Sequence, residues 1–347
     1  MNTTDNRNSQ FPEEDSENRA DRCNEPSGKS IHEKIAHIFR SDDFTTQKTH
    51  AMFEAWTRTA GQVLISTFDV LAVEQEFFYP LLNPATGAAS RTFAEAGKVT
   101  ILRRKGTDEI SILVHKTSGD DIGEDAVFWK KLVVEVQGSK YVLAARQLGY
   151  KGVSRVLFNV VKKPGQRQLR SGKDNAETPE EYFSRVVDVM LADGSYFTQR
   201  EELRDDGHLT AYMINAWASA QLLLYARNKK VYPTNETSCS FFGKCEFIDL
   251  CFSGAEVDGV RFRKKAKLLP ELATPETDKI RLTASRMRCY GTCPCKYKYV
   301  YEDSIEALGE DGEAVYVGSL FHRAAEVWLS QFLLQKHSIL PTLPTLF

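Results

Sequence analysis

The chain of 347 residues has no run of about eighteen consecutive apolar residues, the length a membrane-crossing helix needs. No membrane span and no membrane partner are expected. An excess of one charge is also missing: 45 Lys and Arg stand against 47 Asp and Glu, a net charge of −2. That balance gives no overall attraction to nucleic acid, so any such binding has to come from local basic patches. Aliphatic side chains are scarce in residues 1–30, which are rich in Asn, Ser, Asp, Glu and Arg. Such a stretch buries too little apolar surface to offset the entropy of ordering, and 1–30 reads as a disordered tail. It also lacks a charged-then-apolar leader, so no secretion signal is expected and the location is expected to be cytoplasmic. Cysteine is nearly absent before residue 239. Cys23 stands alone, and the other six are Cys239, Cys245, Cys251, Cys289, Cys293 and Cys295. Without secretion, this crowding favours metal or cluster ligation over disulfides.

What is present describes a globular protein of one large domain or two small ones, with 42% hydrophobic and 27% charged residues. Ile31, Ile35, Ile38 and Phe39, then Met52, Phe53 and Trp56, recur at helical spacing, so 31–62 reads as helix. Residues 63–82 turn to β character, and Asn83-Pro84-Ala85-Thr86-Gly87 reads as a turn. Two strands follow, Gly97–Ile101 and Ile110–Thr117, joined by a turn that holds Gly106. Val114 and Lys116 share parity and so one face of the second strand. A cationic amine at the end of a buried strand needs a partner or a function. Gln137 and Tyr141 open a helix, and Val156–Val161 reads as a further strand ended by Lys162-Lys163-Pro164. A basic loop comes next, with Lys162, Lys163, Arg167, Arg170 and Lys173. Thr178-Pro179-Glu180-Glu181 starts a helix that runs to Leu191, and 209–228 is another.

The order Gly97-Lys98-Val99-Thr100, then Val114-His115-Lys116-Thr117, then Gln137-x-x-x-Tyr141 resembles the PD-(D/E)XK nuclease superfamily, in its RecB-like branch. The resemblance implies an α/β restriction-endonuclease-like fold, a central mixed sheet flanked by helices. It implies Lys116, Gln137 and Tyr141 as catalytic residues. It also marks a departure. Thr100 stands where the family has a metal-binding Asp, and Val114 where it has a metal-binding Glu. Hard Mg²⁺ needs carboxylate oxygens, so the expected activity is weak or absent, and Mg²⁺ belongs only to a functional site. Glu95, Asp108 and Glu109 are the acids near enough in sequence to have taken over.

Cys239-x5-Cys245-x5-Cys251 groups soft thiolates closely enough for zinc or an iron–sulfur cluster, with Cys289, Cys293 and Cys295 downstream to complete the set. The bland reading is buried cysteines in a helical hairpin. Thr283-x-Ser285 through Tyr290, Cys293-Pro294 and Tyr297 resembles the opening of AddB-type nucleases. There a cysteine triplet and one distant cysteine hold a 4Fe–4S cluster, which implies Cys239, Cys245, Cys251 and Cys293 here. Gly318-x-x-x-His322 resembles the helix whose His is a metal ligand in the family. These segments follow the triplet instead of preceding the strands. The expected organisation is the tail 1–30, a nuclease-like core with triplet over 31–275, and 281–347 as a permuted part or a truncated second copy.

Alone, Lys116 would read as a snorkelling lysine, Gln137 and Tyr141 as a helix face, His322 as structural, and the basic runs as solvated charge. Their shared order is what raises the functional reading. The expected role is DNA binding, single strands included, through Lys162, Lys163, Arg167 and Arg170, in repair, recombination or phage-type DNA processing beside a helicase. An active exonuclease with displaced carboxylates and a non-functional rearranged remnant are the alternatives.

Overall fold

The computed structural model describes residues 29–170, 175–240, 244–266, 268–269, 272, 278–308 and 313–334. The tail reading therefore falls outside the described residues apart from Lys29 and Ser30, and so do Cys23, Lys173 and 335–347.

Ser30 begins the described fold as a cap: its hydroxyl accepts from the Glu33 amide and the Glu33 carboxylate accepts from the Ser30 amide. The helical stretch is three helices, α1 (Ile31–Ile38), α2 (Phe44–Arg58) and α3 (Ala60–Thr67), so the change to strand comes at Phe68, later than the composition implies. Two long strands follow, β1 (Phe68–Leu82) and β2 (Ala89–Arg104), antiparallel across the Asn83–Gly87 turn. Gly97 sits opposite Phe77, and a Cβ there would lie 2.9 Å from the Phe77 ring. Close strand approach is thus the reason for that glycine.

β3 (Ile110–Ser118) pairs with β2 only from Thr100↔Leu113 to Arg103↔Ile110. Beyond Thr100 the two strands part. A crossover through α4 (Val127–Val133) and α5 (Val136–Gln147) leads to β4 (Arg155–Lys162), parallel to β3. α6 (Pro179–Ala192) precedes β5 (Phe197–Leu203), which is antiparallel to β4 and has no counterpart in the sequence reading. After α7 (Asp206–Lys229) come α8 (Ile248–Phe252) and β6 (Phe262–Lys264). The chain then returns to the sheet. β7 (Ile280–Leu282) pairs parallel with β2 at Phe93–Glu95. α9 (Ala284–Thr292), α10 (Pro294–Tyr297), β8 (Ile305–Ala307) and α11 (Glu313–Ser330) complete the described chain. The architecture is a central mixed sheet, β1-β2-β3-β4-β5 with β7 beside β2, flanked by helices on both faces, consistent with a restriction-endonuclease-like fold.

Two cores follow from strand alternation. Val70, Leu102, Leu113 and Leu157 face α2, α6 and α11. Val99, Ile101, Ile112, Val114 and Phe158 face the other way, with Val142, Ala144 and Ala145 of α5. α7, α9 and α10 share a third apolar cluster around Leu282 and Tyr297. No helix among the described residues is long and apolar enough to cross a membrane.

Candidate active-site cleft and cysteine pocket

Lys116 ends the buried run of β3, and its amine donates to Gln137 Oε1 at 2.8 Å and Glu135 Oε1 at 2.9 Å. Gln137 in turn donates to the Tyr141 hydroxyl at 2.8 Å, one helical turn on. Burial raises the Tyr141 pKa and keeps its phenol protonated, while the Gln137 contact pulls the other way. Arg288 of α9, an exposed side chain, reaches the same Glu135 oxygen at 2.9 Å. The other Glu135 oxygen is buried and has no hydrogen-bond partner among the described residues. One carboxylate thus serves two cations from two distant parts of the sequence.

His322 of α11 comes to this cleft from the opposite helical layer. Its ring is open to solvent, but protein atoms crowd it and Lys116 stands nearby. Both push its pKa below the usual imidazole value, crowding first. The His115 ring lies 6.0 Å from the His322 ring, at a steep angle. Asn159 fixes His115: its oxygen accepts from Trp56 Nε1 and Gln199 Nε2, so its amide nitrogen donates to His115 Nδ1 at 2.8 Å. A proton on that Nδ1 would face a donor. Burial, and then His322, push the His115 pKa down to about 3.

The acid positions fare differently. Thr100 lies across from Leu113, so its side chain shares Leu113's face, opposite to the one carrying Val114 and Lys116. Its hydroxyl donates to Glu74 Oε1 at 3.3 Å and accepts from the Glu74 amide at 3.1 Å. Glu74 sits at a bulge in β1 with φ of 45°, a left-handed conformation that non-glycine residues adopt at a cost. Desolvation raises its pKa, against the opposing pull of Lys98 and Thr100. Val114 is buried among apolar side chains. Of the three acids considered for takeover, Glu95 is engaged elsewhere: it is buried, pairs with buried Lys140 at 2.6 Å and accepts from Tyr212 at 2.8 Å. Glu109 pairs with Arg104 near the turn between β2 and β3, and Asp108 stands beside it in that turn. Among the described residues no three His, Cys, Asp or Glu side chains are grouped to hold one metal ion.

The basic loop leaves the sheet at the cleft end of β3. Lys116 lies beside Val160, and Ser118 beside Lys162. Lys163 donates from its amine to the Ala314 carbonyl at the start of α11, and its amide bonds to Ser118. Arg170 pairs weakly with Glu181 at 3.8 Å, and the Arg167 carbonyl accepts from Arg185, so these two positions lean toward α6. Sequence reasoning missed Glu135, Glu74, Arg288 and His115. Glu135 had a signal, since it stands two residues before Gln137 at a helix start. Glu74 lies in β1 between Val73 and Gln75, and nothing in the sequence sets it apart from its neighbour Glu76. Arg288 had none, because its partner is more than a hundred residues away.

The thiols gather as well. Cys239, Cys245, Cys251, Cys293 and Cys295 line one small pocket. The sulfurs of Cys251 and Cys295 are 3.6 Å apart. Burial, and then the Cys295 contact, push the Cys251 pKa up to about 12, so without metal its thiol holds its proton. Cys289 lies apart, in the apolar cluster of α7 and α9.

Residues 281–341 match the family model of the PD-(D/E)XK nuclease superfamily. The match covers a minor part of the chain, and within it lie Arg288, Cys293, Cys295 and His322. Lys116, Gln137 and Tyr141 lie outside it, yet in the fold Arg288 shares Glu135 with Lys116 and His322 stands near Lys116. No curated protein and no solved structure matches the chain.

Proposed function

We propose that this protein is a nuclease-fold DNA-binding unit of the RecB-like type, impaired in phosphodiester hydrolysis. The observation that carries this is the cleft itself. Lys116, Gln137, Tyr141, Arg288 and His322 converge, while the two positions that should supply hard oxygen ligands hold Thr100 and Val114. Those residues do not fit Mg²⁺, which takes carboxylate oxygens. The cations remain, and a phosphate can take them. A DNA phosphate entering the cleft competes with Glu135 for Arg288 and Lys116, and the basic loop at Lys162–Arg170 extends the track. Single strands, a helicase partner and a role in DNA processing belong to the same reading. The seating of β7, α9 and α11 on the sheet supports 281–347 as a permuted part of this unit. The test is a binding titration with short single- and double-stranded DNA, with EDTA or Mg²⁺, beside a cleavage gel. We expect binding indifferent to EDTA, and no cleavage.

The pocket of five thiols fits an iron–sulfur cluster, with Cys239, Cys245, Cys251 and Cys293 as its four ligands. Thiolates are the usual ligands of such clusters, and five of them line this pocket. When bound, the cluster would tie the triplet to the Cys-Pro segment.

A specific observation favours a second reading, an active enzyme with displaced carboxylates: Glu74 hydrogen-bonds the Thr100 hydroxyl, at the position the family gives to Asp. Mg²⁺-dependent cutting by the wild-type protein, abolished by Glu74→Gln, would establish it.

A further inference from the structure

The pocket contains one thiol more than a 4Fe–4S cluster takes, and two of its thiols are in contact. Which sulfurs bind is a question that rests on the cluster reading above. Cys251 and Cys295 have their sulfurs 3.6 Å apart. Two thiolates on one tetrahedral metal at 2.3 Å stand about 3.8 Å apart, so the pair is spaced to meet one metal atom. A 4Fe–4S cluster takes four cysteines, one on each iron. Two sulfurs in contact therefore compete for one iron. Cys239, Cys245 and Cys293 line the rest of the pocket and would supply the other three ligands.

We propose that Cys251 and Cys295 are interchangeable ligands of one corner of the cluster, one bound and the other held beside it as a spare thiol. Cys295 opens no separate site. It comes from the far segment, in α10, while Cys251 comes from α8. The corner can thus be filled from either side of the junction between the two parts of the chain. Thiolate exchange at the iron needs only a proton to pass from the incoming thiol to the outgoing one, with no change of oxidation state.

The test uses the full chain, reconstituted anaerobically with ferrous iron and sulfide, with iron content and the visible absorption band as readouts. Cys251→Ser and Cys295→Ser should each keep at least about half of the wild-type iron. The double variant should fall below about one tenth, like Cys245→Ser. Loss of iron from Cys251→Ser alone, to the level of the double variant, would overturn the proposal, as would retention by the double. Alkylation of the wild-type holoprotein with N-ethylmaleimide, read by peptide mass spectrometry, needs no variant to fold. One of the two cysteines should be labelled, and protection of both would overturn the proposal. A wild-type chain that takes up no iron refutes the cluster reading itself and this inference with it, and that outcome is distinct because it appears before any substitution.

Discussion

The Lys116 cleft and the cysteine pocket are both assembled across the junction between the first 275 residues and the last segment, but they differ in redundancy. In the cleft, the polar groups form one chain of contacts in which none duplicates another. Gln137 meets Lys116, Tyr141 meets Gln137, and Glu135 holds Lys116 and Arg288 together. Thr100 and Val114 offer no carboxylate there, and both are buried in the strands of the scaffold. In the pocket, five thiols surround one space and two of them are in contact. On the proposal above, loss of Cys251 or Cys295 leaves the other of the pair to take over. Sites of fixed charge are thus fragile in chemistry and robust in fold, and thiol pockets are closer to the reverse.

The sharpest way to break that contrast is to find a thiol with no substitute. Cys245 is such a position, since the contact pair does not include it. Cys245→Ser should abolish iron binding and lower the melting temperature, because binding to the folded state alone adds its free energy to stability. Iron analysis and a thermal melt check both. An iron-loaded Cys245→Ser protein would show that redundancy extends to the whole pocket.

The next largest effect should come from the buried link between the two regions. Lys140 lies on α5 one turn beyond Gln137, pairs with Glu95, and donates to the Leu282 carbonyl at the entrance to α9. Lys140→Ala leaves an uncompensated buried carboxylate, at about 3–5 kcal/mol. Lys140→Met with Glu95→Gln keeps the Tyr212 acceptor and should recover at least half of that loss. Urea unfolding measures it. Equal costs for the single and double variants would mean that the pair is not coupled.

Much of the scaffold was legible from one sequence. The strands around Ile110 and Val156 read as apolar runs, the helix around Tyr182 has a capping signal and an apolar stripe, and the structure has these and the helices around Gln137 and 209–228 near those places. What was not legible depended on distant partners. β5 is polar without a break from Thr198 to Glu202 and pairs along β4. β7 is three residues long and exists because β2 offers it an edge. The parity of Thr100 could not be read without the register against Leu113, and Glu95 looked like a candidate acid until Lys140 was seen beside it. Local pattern shows which residues are apolar on one face, while the assignment of a charge to a site needs its partner.

A smaller effect sharpens the cleft side of the comparison. If Arg288 and Lys116 grip phosphate directly, Arg288→Ala and Lys116→Ala should each weaken DNA binding by about tenfold and reduce the salt slope by about one. Arg288 is exposed, so its variant should leave the melting temperature within about 1 °C of wild type. Fluorescence anisotropy at several salt concentrations checks this. Unchanged slopes in both variants would move the binding surface entirely to the basic loop.

The smallest expected effect is a pH dependence, and its sign follows from His115. The folded imidazole has its pKa lowered from 6.5 to about 3, first by burial and then by His322. The unfolded chain therefore binds a proton between about pH 6.5 and 3 that the folded chain refuses. Stability from this group is fully present above pH 6.5 and is lost as pH falls through that window, by at most about 1.4 kcal/mol per pH unit. His115→Gln removes the titration and keeps an acceptor for Asn159, so its stability should fall less steeply on acidification. Its absolute stability at pH 7 should drop by about 1 kcal/mol, because the glutamine fills less of the space between Trp56 and Phe321. Urea midpoints at pH 7, 6 and 5 decide it. Parallel curves for the two proteins would mean that His115 is charged in the fold, with its Nδ1 turned away from the Asn159 donor and the orientation of that amide reversed.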